Sequence, residues 1–352
     1  SLVVIEKSGK TEFPIPCVMW HNPRSKGINQ EAELEEVRKV TRQFSLVFIP
    51  VDRNKPETPW MEITGKAYHG LRKVRGSSPW YEAHNGVYTA LNQVYWVNII
   101  SKEADGLLIT NPPLSGQKKK VKQIKRVVEK DLIYPLIRGR DVKKWYIVGE
   151  YGWIIIPHDP KTGKPIPENV IKVKYPRIFS YFKEFQKELE KRTIKPFLGN
   201  RPKTHFYRLD NIGSYTFYPY KVIWKPIAGA ITGKAISFAS AVLSPLDEGI
   251  VIPDHSLMFV GLQTKDEAYY LSSILNSSII LLAIASYSYE IGAYAHITQY
   301  LNIPKFDPKN LLHRKLSQLS QKAHEIAKKI YEENREDLKE DLKKIEEEID
   351  KT

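Results

Sequence analysis

A single cysteine, Cys17, occurs in 352 residues, which excludes both a disulfide framework and a cysteine-based zinc site. Cys17 lies in Phe13-Pro14-Ile15-Pro16-Cys17-Val18-Met19-Trp20, a run that reads as a buried strand rather than the setting of a nucleophile. No Gly-x-Gly-x-x-Gly is present, so no dinucleotide or cofactor loop is supported. Gly229-Ala230-Ile231-Thr232-Gly233-Lys234-Ala235 lacks the first glycine and the closing Ser or Thr that a phosphate loop needs. The nine histidines are scattered without ligand spacing. Pro253-Asp254 has no acidic-x-Lys nearby, so metal-dependent nuclease chemistry is unsupported. Long apolar runs are missing too. The most apolar stretch, residues 271–287, is interrupted by Asn276 and serines and reads as a core helix, not a membrane span. No secretory signal is visible, and a reducing, cytoplasmic setting is expected.

Basic residues are abundant. The sequence has 54 Lys+Arg against 40 Asp+Glu, a net charge of +14. The last 22 residues, 331–352, hold ten acidic and five basic side chains, so this tail is −5 and the rest of the chain +19. A strongly basic body with an acidic helical tail points to a nucleic acid as partner, a signature shared with ribosome-associated and membrane-surface proteins.

Periodicity suggests an α+β chain in three parts. Residues 1–55 read as β-β-α-β, with a strand pair at 2–6 and 15–20, a helix at 31–44 and a strand at 45–51. The abrupt strand-like opening suggests a piece of a longer chain. Residues 56–309 mix strands and helices, with turn signals at Asn85-Gly86 and Ala104-Asp105-Gly106. Strands are expected at 121–128, 220–225, 235–238 and 257–260, and a hairpin from 146–148 to 153–156. Long helices are expected at 176–192 and 265–286. Residues 310–352 carry Leu312, Leu316, Leu319, Ala323, Ile326 and Ile330 at alternating steps of four and three, then Leu338, Leu342, Ile345 and Ile349 after a phase slip. That is the seam of a coiled-coil-like helix, which would lie against the body or against a second copy.

The most informative run is Leu132-Ile133-Tyr134-Pro135-Leu136-Ile137-Arg138-Gly139-Arg140-Asp141-Val142-Lys143-Lys144-Trp145. It joins an apolar anchor to a tight cationic turn and a tryptophan. Arg138 and Arg140 could bridge phosphates or read a guanine edge, while Lys143 and Lys144 add charge. Alternatively the turn is structural and Arg140 pairs with Asp141. Lys118, Lys119, Lys120 and Lys122, with Lys125 and Arg126, could neutralise phosphates, which needs only point charges, or form a solvated loop. Arg201, Lys203 and Arg208 lie in a basic, aromatic loop. Tyr289, Tyr294 and His296 flank Gly292 in a segment that could stack on bases or simply pack.

Asn111-Pro112-Pro113-Leu114 has the outline of an adenine-holding motif, but its fourth residue cannot stack on a flipped base. It reads as a turn. The alternative, an active adenine-N6 methyltransferase using Asn111, stays open, as does a non-catalytic assembly scaffold.

The run around Arg138 resembles the target-recognition region of adenine-N6 DNA methyltransferases of the type IIG and TaqI-like kind. Val87-Tyr88-Thr89-Ala90-Leu91-Asn92-Gln93-Val94-Tyr95-Trp96-Val97 is similar to the segment that opens that region. Lys221-Val222-Ile223-Trp224-Lys225 and residues 244–260 resemble its central sheet. Tyr269-Tyr270-Leu271-Ser272-Ser273-Ile274-Leu275-Asn276 and Leu301-Asn302-Ile303-Pro304 resemble its closing helix and exit. The resemblance implies that residues 1–55 are the last strands of a methyltransferase sheet, and that the catalytic domain and its S-adenosylmethionine lie upstream, in the same or another chain. It carries over no catalytic residue, and neither a cofactor nor a metal is expected in this chain. Double-stranded DNA is the implied partner. Its grip would require cations from separate stretches to converge on one concave face.

Overall fold

In the computed structural model, the described residues are 9–23, 27–29, 31–52, 54–58, 60–113, 121–192, 205–226, 238–291 and 295–352; the side chains of residues 66, 69, 140, 287–291, 295 and 296 fall outside the description. In chain order the strands are β1 (Ile15–His21), β2 (Arg42–Pro50), β3 (Trp60–Ile63), β4 (His84–Asn85), β5 (Trp96–Glu103), β6 (Gly106–Thr110), β7 (Lys125–Val128), β8 (Ile133–Ile137), β9 (Val142–Lys143), β10 (Tyr146–Ile147), β11 (Gly152–Ile155), β12 (Tyr220–Trp224), β13 (Ser240–Leu243), β14 (Ile252–Pro253) and β15 (Met258–Leu262). The α-helices are α1 (Leu34–Val40), α2 (Gly65–Leu71), α3 (Asn92–Tyr95), α4 (Glu168–Lys174), α5 (Pro176–Lys183), α6 (Gln186–Glu190), α7 (Lys265–Leu275), α8 (Ser278–Ile291), α9 (Leu311–Glu332) and α10 (Lys339–Lys351).

This is a mixed α+β architecture. A three-stranded sheet runs β1-β2-β3, a six-stranded sheet β14-β8-β11-β5-β6-β7 and a four-stranded sheet β13-β12-β15-β4, with β9 and β10 forming a small ribbon. The pairings are antiparallel except β14 beside β8.

The period-two alternation of β12 explains how the layers stack. Val222 and Trp224 enter a core shared with Ile49, Met61 and Ile63 of the three-stranded sheet and with Leu271 and Leu275 of α7. Ile223 enters a second core, with Ile137 of β8, Val142 of β9 and Phe259 of β15. The four-stranded sheet is therefore a middle layer, covered on both faces. A third core joins the six-stranded sheet to Ile178, Phe179 and Phe182 of α5. Apolar packing runs continuously across residues 55–56, since β3 pairs with β2.

Several local expectations change. The strand pairing expected between residues 2–6 and 15–20 lies outside the described residues; β1 pairs with β2. Tyr146–Ile147 pairs with β9 rather than with β11, so the expected hairpin does not form. The helix expected at 176–192 is α5 and α6, parted at Glu184 and Phe185. The helix expected at 265–286 bends by 61° between α7 and α8. Asn276 explains the break: its side chain accepts from Ser240 N and donates to Ser240 O, both at 2.9 Å, tying the end of α7 to edge strand β13. Among the described residues, no single helix is long and apolar enough to cross a membrane.

The terminal helix expected over 310–352 is a hairpin of α9 and α10. The phase slip in its apolar seam coincides with the turn, where Asn334 takes a positive φ of 54°. Leu319, Ala323 and Ala327 of α9 and Ile349 of α10 bury Trp145 between them, with Leu316, Leu342 and Ile345 packed around this cluster. These seam residues lie against the body of their own chain, one of the two placements that the sequence left open.

Candidate nucleic-acid interface

Three connections cross between the six-stranded and four-stranded sheets at one seam. β8 leaves through Arg138, Gly139, Arg140 and Asp141 into β9, which packs against β13. β14 leaves through Asp254, His255, Ser256 and Leu257 into β15. β4 leaves through Gly86, Val87 and Tyr88 toward α3 and β5. The backbone stitches the last two together: Gly86 N donates to Leu257 O at 2.8 Å and Val87 N to Pro253 O at 2.9 Å.

The Arg138 turn is clamped to the same seam. Gly139 N donates to Ser256 Oγ at 2.8 Å. Ser256 Oγ donates in turn to Asp254 Oδ1, which also accepts from Ser256 N at 3.1 Å. A Cβ at Gly139 would stand 2.7 Å from Ser256 O and 2.8 Å from its Oγ, so only glycine lets the chains approach this closely. Asp254 is buried, with only 3% of its surface exposed.

Around this frame stand partly exposed cations and rings. The Arg138 guanidinium lies 5.8 Å from the centre of the Trp96 ring, a cation–π distance. Lys143 is exposed on β9, and Lys225 follows β12 close enough that the two ammonium groups repel. Desolvation, then Lys143, hold the Lys225 amine below the usual lysine range, while Asp141 pulls the other way. Tyr88, 36% exposed, meets His255 edge to face with ring centres 5.5 Å apart. His255 Nδ1 is 3.7 Å from Asp254 Oδ2. Tyr88 and Asp210 exchange backbone hydrogen bonds of 3.0 Å, which brings Arg208 to the same neighbourhood.

The expected cations do not all converge here. Lys122 pairs with Glu184, just past the end of α5, at 2.5 Å, beside Arg126. It precedes β7, the opposite edge of the six-stranded sheet; β7 lies four strand spacings from β8, or roughly 20 Å. Lys144 pairs with Glu346 of α10 at 2.7 Å. Arg208 is largely buried, 4.0 Å from Asp210. Lys118, Lys119, Lys120, Arg201, Lys203 and Tyr294 lie outside the described residues, as do the side chains of Arg140, Tyr289 and His296. Among the described residues, the expected cations found at the seam are Arg138 and Lys143, joined by Lys225.

Trp145 is also not a surface ring. It is 1% exposed, at a positive φ of 65°, and its Nε1 donates to Glu346 Oε1 at 2.7 Å. Phe206 and Tyr207 of the basic, aromatic loop pack into the core of the six-stranded sheet, with the Tyr207 hydroxyl donating to Ile166 O at 2.7 Å.

Asn111 does not fit an adenine-holding site. Its Nδ2 donates to Lys122 O at 3.0 Å and its Oδ1 accepts from Ile124 N at 2.7 Å, closing the chain between β6 and β7. Both ends of the amide are occupied by backbone. No step of methyl transfer is assigned to this chain.

A groove of about 960 Å³ lies elsewhere, lined by Glu103, Asp105, Glu129, Asp131, Asp247 and Glu248 against only Lys102 and Lys130. Its charge repels a phosphate backbone. Among the described residues no cluster of His, Cys, Asp and Glu could hold a metal ion.

Sequence reasoning missed Lys225, Tyr88 and His255. Lys225 ends a stretch already read as a strand, and its closeness to Lys143 is purely tertiary. Tyr88 and His255 stand 167 positions apart in the sequence, in two stretches whose resemblance assigned neither a contact role.

No protein-family model matches the sequence, and a comparison with curated proteins finds no relative. Among the solved structures it resembles is a Type IIL restriction-modification enzyme, MmeI, in complex with DNA. The TM-score is 0.42 at 10% identity, over 79% of this chain and 32% of that one. The chain thus spans about a third of that protein's length. A likeness this loose does not identify the chain.

Proposed function

We propose that this chain binds duplex DNA and reads a short sequence, as the target-recognition part of an adenine-specific DNA modification system. In this reading it presents an adenine to an S-adenosylmethionine-dependent catalytic domain outside residues 1–352. Residues 1–55 would then continue that domain's sheet, 56–309 would hold the DNA, and the hairpin of 310–352 would brace the ribbon that carries Lys143.

The supporting observation is the Arg138-Gly139-Arg140 turn, pinned by Ser256 where three connections cross between two sheets. A turn held this way sets Arg138 on a rigid base, which sequence reading needs. The +19 carried outside the acidic tail supports the same partner through counterion release.

The test is fluorescence anisotropy of a labelled 30-base-pair duplex with the whole chain, between 50 and 200 mM salt. Affinity is expected to fall steeply with salt, by roughly 0.9 in log–log slope for each phosphate neutralised. A flat response sinks the reading. Incubation with labelled S-adenosylmethionine and the same duplex is expected to transfer no label.

A further inference from the structure

We infer that His255 and Tyr88 form a base-reading pair, contacting base edges at the centre of the seam while Arg138, Lys143 and Lys225 meet the flanking phosphates. This rests on the proposed duplex-DNA reading and assigns a role within that site.

Four observations carry it. His255 and Tyr88 are partly exposed rings packed edge to face, so their free faces and polar tips are available together. Both are mounted on short, tightly bonded backbone. Tyr88 is fixed by its two backbone hydrogen bonds with Asp210, and His255 lies between Asp254 and Ser256, which are bonded to each other, Ser256 also holding Gly139. Side chains with few torsions on such a base hold their donors and acceptors in place, as readout of base edges demands. Phosphate contact, by contrast, tolerates long flexible cations.

The third observation is the charge beneath the rings. The Asp254 carboxylate lies beside His255, with Oδ2 3.7 Å from Nδ1. A carboxylate at this point disfavours a phosphate directly over the rings. It tolerates an uncharged base edge, and an imidazole backed by a carboxylate is a good donor toward guanine O6 or N7. Fourth, the cations gather beside this centre, on the β8–β9 segment and just past β12, where a backbone would run.

The experiment selects binders from a pool of random 30-base-pair duplexes with the whole chain and sequences them. Wild-type protein is expected to enrich a short motif. His255→Ala and Tyr88→Ala are each expected to flatten the preference at one or two adjacent positions. The ratio of affinity for the enriched duplex over a scrambled one should fall at least tenfold. Lys143→Ala is expected to weaken both duplexes together, with a salt slope lower by about one. Circular dichroism of each variant separates loss of reading from loss of fold.

A motif retained at full strength in both ring variants overturns the inference. Salt-dependent binding by wild-type protein that enriches no motif also overturns it, while leaving the DNA reading intact. No binding to any duplex overturns both.

Discussion

The backbone amide of Val242 donates to Nε2 of His324 at 2.9 Å, so an edge strand of the middle sheet is closed by a histidine from the C-terminal hairpin. The other nitrogen, Nδ1, donates to Ser320 O at 2.7 Å within its own helix. One nitrogen accepts and one donates, which fixes the neutral tautomer. Trp145 and Tyr269 both meet this ring edge to face. The imidazole thus joins the ribbon, the sheet and the hairpin without carrying charge.

Acid is expected to loosen this joint. Burial lowers the His324 pKa to about 4, against the opposing pull of Ser320 O. His158 is likewise lowered to about 4, with Nδ1 donating to Gly163 O and Nε2 accepting from Leu209 N. Both folded values lie below the unfolded one, so the unfolded chain binds more protons at acid pH. The stability these groups contribute is complete above about pH 6.5 and drains away as pH falls toward 4. Urea titrations at pH 7, 5.5 and 4 should show a falling midpoint, and His324→Gln should make that fall shallower.

Lys221 is expected to oppose stability at neutral pH. Its amine is fully buried, and its only hydrogen bond among the described residues is to Tyr218 O at 2.7 Å. Burial lowers its pKa to about 7. The unfolded chain therefore keeps a proton that the folded chain gives up between about pH 7 and pH 10.4, so this group makes stability rise across that window. Lys221→Met should stabilise the protein at pH 7 by on the order of a few kcal/mol and remove this slope, measured by denaturant titration at pH 7, 8 and 9. Unchanged stability would refute the assignment.

Trp145→Ala should undock the hairpin. It empties a pocket lined by Leu319, Ala323, Ala327 and Ile349 and takes one of two donors from Glu346, which keeps Lys144. A loss of about 3–5 kcal/mol is expected. Hydrogen exchange should quicken first in residues 311–351, ahead of the sheets.

Asn111→Asp separates structure from chemistry. An adenine-holding motif accepts Asp, whereas a clamp that donates from Nδ2 to Lys122 O does not. Denaturation should show a loss of about 1–3 kcal/mol from the broken hydrogen bond and the buried charge. Tolerance of Asp would return Asn111 to the candidates.

The local pattern of the sequence was enough for the strands that alternate or carry β-branched and aromatic residues. β12, β15 and the β5–β6 hairpin at Ala104-Asp105-Gly106 fall where composition put them. Helix breaks were harder. The apolar stretch 265–286 has helical composition throughout, and nothing local announces that Asn276 will turn to clasp Ser240. The Arg138 turn stood out because its residue types are rare together, yet its immediate neighbours could not be read. Lys122 and Lys144 looked like free cations because Glu184 and Glu346 are 62 and 202 positions away.

By itself the sequence determined the α+β class, the surplus of basic charge and the apolar seam of the C-terminal segment. These depend on side-chain period and composition, which act over a few residues. Tertiary structure alone decided which cations remain exposed, that the seam is spent on Trp145, and that Tyr88 and His255 share a surface. Those outcomes depend on strand order and on which distant partners come within hydrogen-bonding reach, and no local preference encodes a distance between chain segments far apart in sequence.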